Sequence, residues 1–338
     1  MEDRSGHHRE RHPARLIAGG PKAAVAAITM AAALLITAPA ALPGRSQEVE
    51  RARSLPDLSG LAWVEDDLFL GVHDAKPSAR KPESPRISLV RLPRSKREGV
   101  SWEPLMLAVP GAGGPISDLE SVSRLPGGQG FLLAESGQGG RKARRLFLAT
   151  VSNGKWTLEA QAHWPVPVTN VEATEVVEVG GQLLFLYAER ADGHGETLLR
   201  WAPISLTPLQ FGAFREVVYR SSDPVGEGAR PIAALAADAQ GTLYGASTQD
   251  SGNDDGPFRS VVWRIGRISR GADGQPQVDL SAPTRLATLD GLKVESLAVR
   301  ESRKHGTQLF IGTDDENYGG ILRPLPVPLT PARPRAAR

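Results

Sequence analysis

Three glutamates recur at one place in a repeated pattern. Glu120, Glu172 and Glu295 each follow the apolar residue that opens a short β-like run, in "DLESVSRL", "NVEATEVV" and "KVESLAVR". A second polar group closes the apolar run that comes next, as His73-Asp74, Glu135-Ser136, Glu189-Arg190, Thr248-Gln249-Asp250 and Asp314-Asp315. Carboxylates so arranged suit two kinds of chemistry. Oxygen-only donors hold a hard divalent ion, and a carboxylate within reach of a water accepts its proton. Two carboxylates about 4 Å apart repel by roughly 4 kcal/mol at an effective dielectric near 20. A cluster of them therefore needs raised pKa values, paired cations or a bound metal. The expected metal ligands are Glu120, Glu172, Glu295 and Asp118, with Ca²⁺ ahead of Mg²⁺. The expected catalytic set is Glu135, Glu189 or Asp314 as proton acceptor, Lys293 and Arg190 against charge developing on the substrate, and His73 beside Asp74 as a candidate base. The competing reading leaves these acids solvated, or paired with nearby Lys, Arg and backbone amides.

The elements that must position these residues repeat five times. The units begin at Leu58, Leu119, Val171, Ile232 and Val294, at spacings of 61, 52, 61 and 62 residues. Each is a short apolar strand, a turn with Gly or acids, a second apolar strand and a polar Gly-rich loop. Third-strand candidates follow in "RISLVRL", "RRLFLATV", "TLLRWAPI", "SVVWRIGRI" and "GILRPLP", and fourth-strand candidates in "EPLMLAV", "WTLEAQAHW", "REVVYRS" and "TRLATL". Four antiparallel strands in about 60 residues, five times over, predict an all-β protein, a five-bladed β-propeller. The fifth unit has no fourth strand of its own, because "PVPLTPARPRAAR" is too rich in proline for a ladder. The segment "QEVERARSLP" (47–56) precedes the first repeat and is expected to close that last blade. In a propeller the first strand of every blade lines the central channel, so the polar positions should converge on one mouth.

The totals set outer limits. A chain of 338 residues can bury a large single core. It has no cysteine, which excludes disulfides, thiolate metal sites and a Cys nucleophile. Net charge is +2, with the basic excess in the two tails, so the body does not read as a nucleic-acid surface. Residues 1–22 are polar and basic, Ala23 to Gly44 carry no charge, and Ala38-Pro39-Ala40 is an A-x-A site. That pattern predicts an export signal or an uncleaved anchor over 1–45, a propeller over 46–326 and a disordered Pro/Arg tail over 327–338. The expected setting is periplasmic or extracellular. The expected partner is a small molecule, phosphorylated ones included, meeting a monomer, with no nucleic acid and no membrane beyond the leader. Neither a G-x-S-x-G elbow, a P-loop, H-E-x-x-H nor a dinucleotide Gly motif is present.

The stretches "DLESVSRLPGGQGFLLAESG", "NVEATEVVEVGGQLLFLYAER" and "KVESLAVRESRKHGTQLFIGTDDENYGG" resemble exported bacterial propellers grouped as phytase-like, or esterase-like activity of phytase, and the related SdiA-regulated families. The usual form there is D/N-h-E-G-h-A, and Ser121, Ala173 and Ser296 replace its glycine here. The resemblance implies a propeller over most of 55–325 and hydrolysis of phosphoesters or carboxyl esters. The alternative is a non-catalytic envelope propeller that binds a ligand or protein at the same mouth.

Overall fold

The computed structural model describes residues 54–329, apart from 75–84, 96, 110–113, 129, 138–143, 153, 192–194, 281–282 and 328. The expected signal or anchor, residues 47–53 of the closing segment and nearly all of the C-terminal tail lie outside the described residues. The chain divides into a unit over 1–45 and a unit over 46–338, and the structure concerns the second.

Apolar residues alternate along short runs separated by Gly-containing turns, and the runs form antiparallel strands that pair with a sequence neighbour, except the outer strands of blades three and four, which skip one. Blade one holds β1 (Gly60–Glu65), β2 (Leu68–Val72), β3 (Ile87–Arg91) and β4 (Ser101–Pro104), and blade two holds β5 (Leu119–Arg124), β6 (Gly130–Glu135), β7 (Arg145–Ser152) and β8 (Lys155–His163). Blade three runs β9 (Val171–Val179), β10 (Gln182–Glu189) and β11 (Glu196–Leu206). There β12 (Leu209–Phe211) and the outer strand β13 (Arg215–Arg220) both pair with β11. Blade four repeats that plan with β14 (Ala229–Ala237), β15 (Thr242–Gln249), β16 (Arg259–Arg270), β17 (Pro276–Asp279) and β18 (Thr284–Asp290). Blade five has β19 (Val294–Ser302), β20 (Gly306–Thr313) and β21 (Leu322–Pro324). The five-bladed, all-β propeller expected from the repeats is the fold, and the one helical turn among the described residues is Glu316–Tyr318.

Burial closes the ring. Five hydrophobic clusters form, and each is shared by two adjacent blades. The one between blades five and one contains Phe310 and Phe69, whose rings lie 4.8 Å apart. Fully burying a side chain of this size contributes about 1.5–3 kcal/mol, and these clusters hold side chains that would be exposed on an isolated blade. Backbone bonds tie the same seams. Val171 N–H donates to Ser136 O between blades two and three, and Leu58 N–H to Thr313 O between blades one and five, both at 2.8 Å. The inner strands come so close that a Cβ on Gly60 would lie 2.9 Å from Ser121 Cα, which is why glycine stands there.

Two expectations shift. The outer strand of blade one is Ser101–Pro104 rather than a run reaching Val109, and Met106 is exposed. Among the described residues blade five has three strands. Leu55 accepts from Gly320 N–H at 2.8 Å, so the described end of the closing segment does meet that blade.

Candidate functional site

The end of the channel where the inner strands begin is lined by corresponding residues of all five blades. In β5, β9 and β19 the residue after the opening apolar position is skipped by the pairing ladder: Leu119 faces Glu135 and Ser121 faces Ala134, and the same gap falls at Glu172 and at Glu295. Each glutamate is therefore the extra residue of a β-bulge, a device that re-aims a side chain out of the regular alternation. All three are buried, and Glu172 and Glu295 line the narrow part of the channel together.

Blade four departs from the sequence alignment. Its first strand begins at Ala229, not Ile232, with the irregularity after Arg230. Arg230, not Ala233, thus takes the place of the glutamates. It donates to Glu295 Oε1 at 2.7 Å and to Asp250 Oδ2 at 2.9 Å, and lies 3.5 Å from Glu172 Oε2. One buried guanidinium from blade four binds acids of the blades on either side. The signal was present as an Arg two residues before the apparent starter in one of the two blades that lack an acid there.

The ends of the second strands show a one-residue phase. Glu135 and Glu189 pair opposite Leu119 and Val171, and so turn away from the axis, as His73 does at the end of blade one's second strand. Ser136, Arg190, Asp250 and Asp314 follow instead. Each donates its backbone N–H to the residue before the next-inward strand, namely Asp118, Asn170, Gly228 and Lys293.

The residues turned away are satisfied elsewhere. Glu135 is fully buried and takes Arg145 Nη2 at 2.6 Å and Nε at 2.9 Å, with Ser117 N–H at 3.0 Å. Glu189 takes Arg200 at 2.6 Å and Thr169. His73 Nδ1 meets Asp57 O at 2.5 Å and Nε2 meets Ser88 Oγ at 2.8 Å, and burial pushes its pKa down to about 4. The structure does not bring Glu135, Glu189 or His73 to the mouth, because side chains alternate along a strand and one step changes the face.

The mouth has two halves. In one, Lys293 Nζ lies 2.6 Å from Glu316, 3.2 Å from Glu295 and 3.4 Å from Asp314, and Arg190 Nε bonds Glu172 Oε1 at 2.5 Å. Burial opposes the charge of Glu295, but Lys293 and Arg230 overcome it and hold the carboxyl down at about 2. Asp314 moves the other way, raised by burial and by Glu295, so of the two Asp314 is the one that protonates first as pH falls. Lys293 is itself held charged by Glu295 and Asp314 against the cost of burial.

In the other half, oxygens of Asp74, Asp118 and Glu120 all lie within 4.8 Å of one another. Asp118 accepts from Ser136 Oγ, and Asp74 is tied through its backbone to Ser59 and Arg86. Glu120 is 8 % exposed, and no described residue gives its carboxyl a hydrogen bond or an ion pair. Burial, then Glu172 and Asp74, push it well above the usual carboxylate range. Of the four expected ligands, Glu120 and Asp118 meet, joined by Asp74, whereas Glu172 and Glu295 are engaged by arginine and lysine.

No protein-family model matches the sequence, and no curated protein matches it. Among solved structures, the chain is similar to an exo-1,5-α-L-arabinanase from a bovine ruminal metagenomic library (TM-score 0.44, 10% identity, 81% of this chain and 94% of that one). It is also similar to a GH32 β-fructofuranosidase of Bombyx mori (TM-score 0.41, 10% identity, 80% of this chain and 61% of that one). A third is a Thermus thermophilus protein described as an oxidoreductase (glucose dehydrogenase), with TM-score 0.38, 14% identity, and 81% and 98% covered. Likenesses at this level carry no argument about chemistry, and the five-bladed architecture rests on this chain's own strand pairing.

Proposed function

We propose that the mouth takes a hard divalent cation, Ca²⁺ ahead of Mg²⁺, on Asp74, Asp118 and Glu120, and that the protein is an exported hydrolase of small phosphoesters, in keeping with its phytase-like sequence stretches. The observation that supports this is Glu120, a buried carboxyl without a partner among the described residues, beside two further acids. The donor set is all oxygen, which fits a hard ion. Such an ion neutralises negative charge on phosphoryl oxygens and acidifies water.

The chain's own groups have separate tasks. Of the cations paired with Glu172 and Glu295, Arg190 is the most exposed, its side chain 22% accessible against 7% for Arg230 and 3% for Lys293, and it meets an incoming anion first. Arg230 and Lys293 hold Glu295 ionised and in place, while Arg190 and Arg230 fix Glu172 and only partly offset the burial that raises it. Asp314, the member of the pair that protonates first, is the group that exchanges a proton at the mouth.

The test begins with protein stripped of metal by chelator and titrated with Ca²⁺ in a calorimeter. One ion should bind, raise the melting temperature, and be lost in Glu120→Gln. Burial and the neighbouring acids favour the protonated form of Glu120, so uptake of Ca²⁺ should release a proton. Affinity should then rise up to about tenfold per pH unit while Glu120 remains protonated. An affinity independent of pH would remove Glu120 from the site. Turnover of p-nitrophenyl phosphate and p-nitrophenyl acetate is then compared with and without Ca²⁺. Full activity in chelated protein would sink the metal-assisted reading, and Ca²⁺ binding with no turnover of either ester would leave a ligand-binding propeller with a structural ion.

A further inference from the structure

The channel widens again at its opposite end, where the inner strands finish. A cavity of about 280 Å³ lies there, with Trp63, Arg124, Glu175, Glu178, Asp238 and Glu301 among its walls. Between it and the mouth the channel narrows to about 10 Å³ beside Glu172 and Glu295, hardly room for one water. The two ends are separate compartments.

What this cavity leaves unused is hydrogen-bond donors. Most of its acids already have protein partners. Asp238 accepts from Gln240 N–H, Thr242 N–H and Tyr244 O–H, Glu301 accepts from Ala239 N–H, and Glu175 accepts from Val176 N–H at 2.8 Å and Ala237 N–H at 3.2 Å. Glu178 stands exposed at the rim. Arg124 is the opposite case. Its guanidinium lies 4.3 Å from the centre of the Trp63 ring, its Nε is buried without a hydrogen-bond partner, and no described residue accepts from it. Burial works against its charge, with Glu301 as the main compensation. A guanidinium with idle, planar donors on an aromatic floor matches a planar oxyanion.

We propose that this cavity is a binding site for a compact organic carboxylate, which sets its oxygens on the Arg124 guanidinium and its body along Trp63, with Glu175 donating a hydrogen bond from across the cavity. The volume is at the small end for ligand pockets, which run from about 300 Å³ upward. A phosphate dianion suits the site less well, because Glu178 and Glu301 would repel its second charge. Burial pushes the Glu175 carboxyl up to about 8, so at neutral pH it carries the proton that it donates. The other charged groups of the cavity are Arg124 from blade two, Asp238 from blade four, Glu301 from blade five and Glu178 of the same strand. As pH rises through about 8, Glu175 becomes a carboxylate and opposes the bound anion.

Benzoate is the probe, titrated into the full chain by calorimetry and followed by tryptophan fluorescence, with and without chelator. Saturable one-to-one binding is expected, unchanged by chelator and in Glu120→Gln, which keeps this result independent of the mouth. Arg124→Met should weaken it at least tenfold. Affinity should drop roughly tenfold from pH 7 to pH 9 in the parent and stay level in Glu175→Gln, which donates at every pH. Trp63→Phe keeps an aromatic floor and should remove most of the fluorescence change, so it locates the ligand even if Arg124→Met does not fold. The proposal fails if benzoate does not saturate, if binding survives Arg124→Met, or if the fluorescence change survives Trp63→Phe. It fails equally if inorganic phosphate or methylguanidinium binds this site more tightly than benzoate.

Discussion

Arg230→Met is expected to lower the unfolding free energy by about 3–5 kcal/mol, the usual cost of stranding buried charge. Its guanidinium touches Glu295 at 2.7 Å and Asp250 at 2.9 Å, with Glu172 at 3.5 Å, and its side chain is 7% exposed. Removing it leaves acids from three blades, two of them deeply buried, facing one another across the channel. The melting temperature should fall by roughly 10 °C in a domain of this size. The sign with pH separates this cause from simple loss of packing. In the parent, Glu295 is held at about 2, below its unfolded value, so its ion pairing stabilises the fold above about pH 4.5 and is lost as pH falls toward 2. In the variant, burial without this cation raises the carboxyls, and stability is lost as pH rises. The gap between the two proteins should therefore widen from pH 4 to pH 8. Arg230→Met combined with Glu172→Gln and Glu295→Gln should be more stable than Arg230→Met alone. Melting within a degree or two of the parent would show that this guanidinium does not hold the blades together.

Glu135→Leu should cost a similar amount, about 3–5 kcal/mol, for the same reason. Glu135 accepts two bonds from the Arg145 guanidinium, one from Arg145 N–H and one from Ser117 N–H, all in a fully buried setting. Arg145 also reaches Gly114 O and Pro115 O, so this pair fastens the approach to blade two's inner strand. Chemical denaturation should show a lower midpoint with an unchanged slope, and Ca²⁺ affinity measured well below the melting temperature should be unaltered. A variant as stable as the parent that has lost ion binding or turnover would restore Glu135 to the chemistry. Arg145→Leu with Glu135→Leu should recover part of the loss, because no charge is then left unpaired.

Blade count, strand order and the repeated acids were legible in the sequence because they are local or periodic. Apolar runs of five to nine residues, glycine-marked turns and a spacing near 60 residues constrain the chain to one plan. The recurrence of Glu after the opening apolar residue marked the channel in blades two, three and five. Other features depended on contacts between distant segments. Whether Glu135 or Ser136 faces the axis turns on a single step of the pairing ladder, and an alignment of polar pairs carries no information about that step. The bulges at Glu120, Glu172 and Glu295 are set by how each inner strand meets its neighbour. Arg230 was hidden because an extra bend in β14 moved the start of blade four, so the apparent starter Ile232 was not the true one.

Taken alone, then, the amino-acid sequence determined that this protein is a ring of five β-blades with acids at one mouth. The tertiary structure decided which acids meet an arginine or lysine, and that Glu120 meets none among the described residues. It also placed Arg124 and Trp63 over a cavity at the far end. The physical reason is that strand patterning is set by neighbours in sequence, whereas the pairing of buried charges is set by which blades the closing ring brings together.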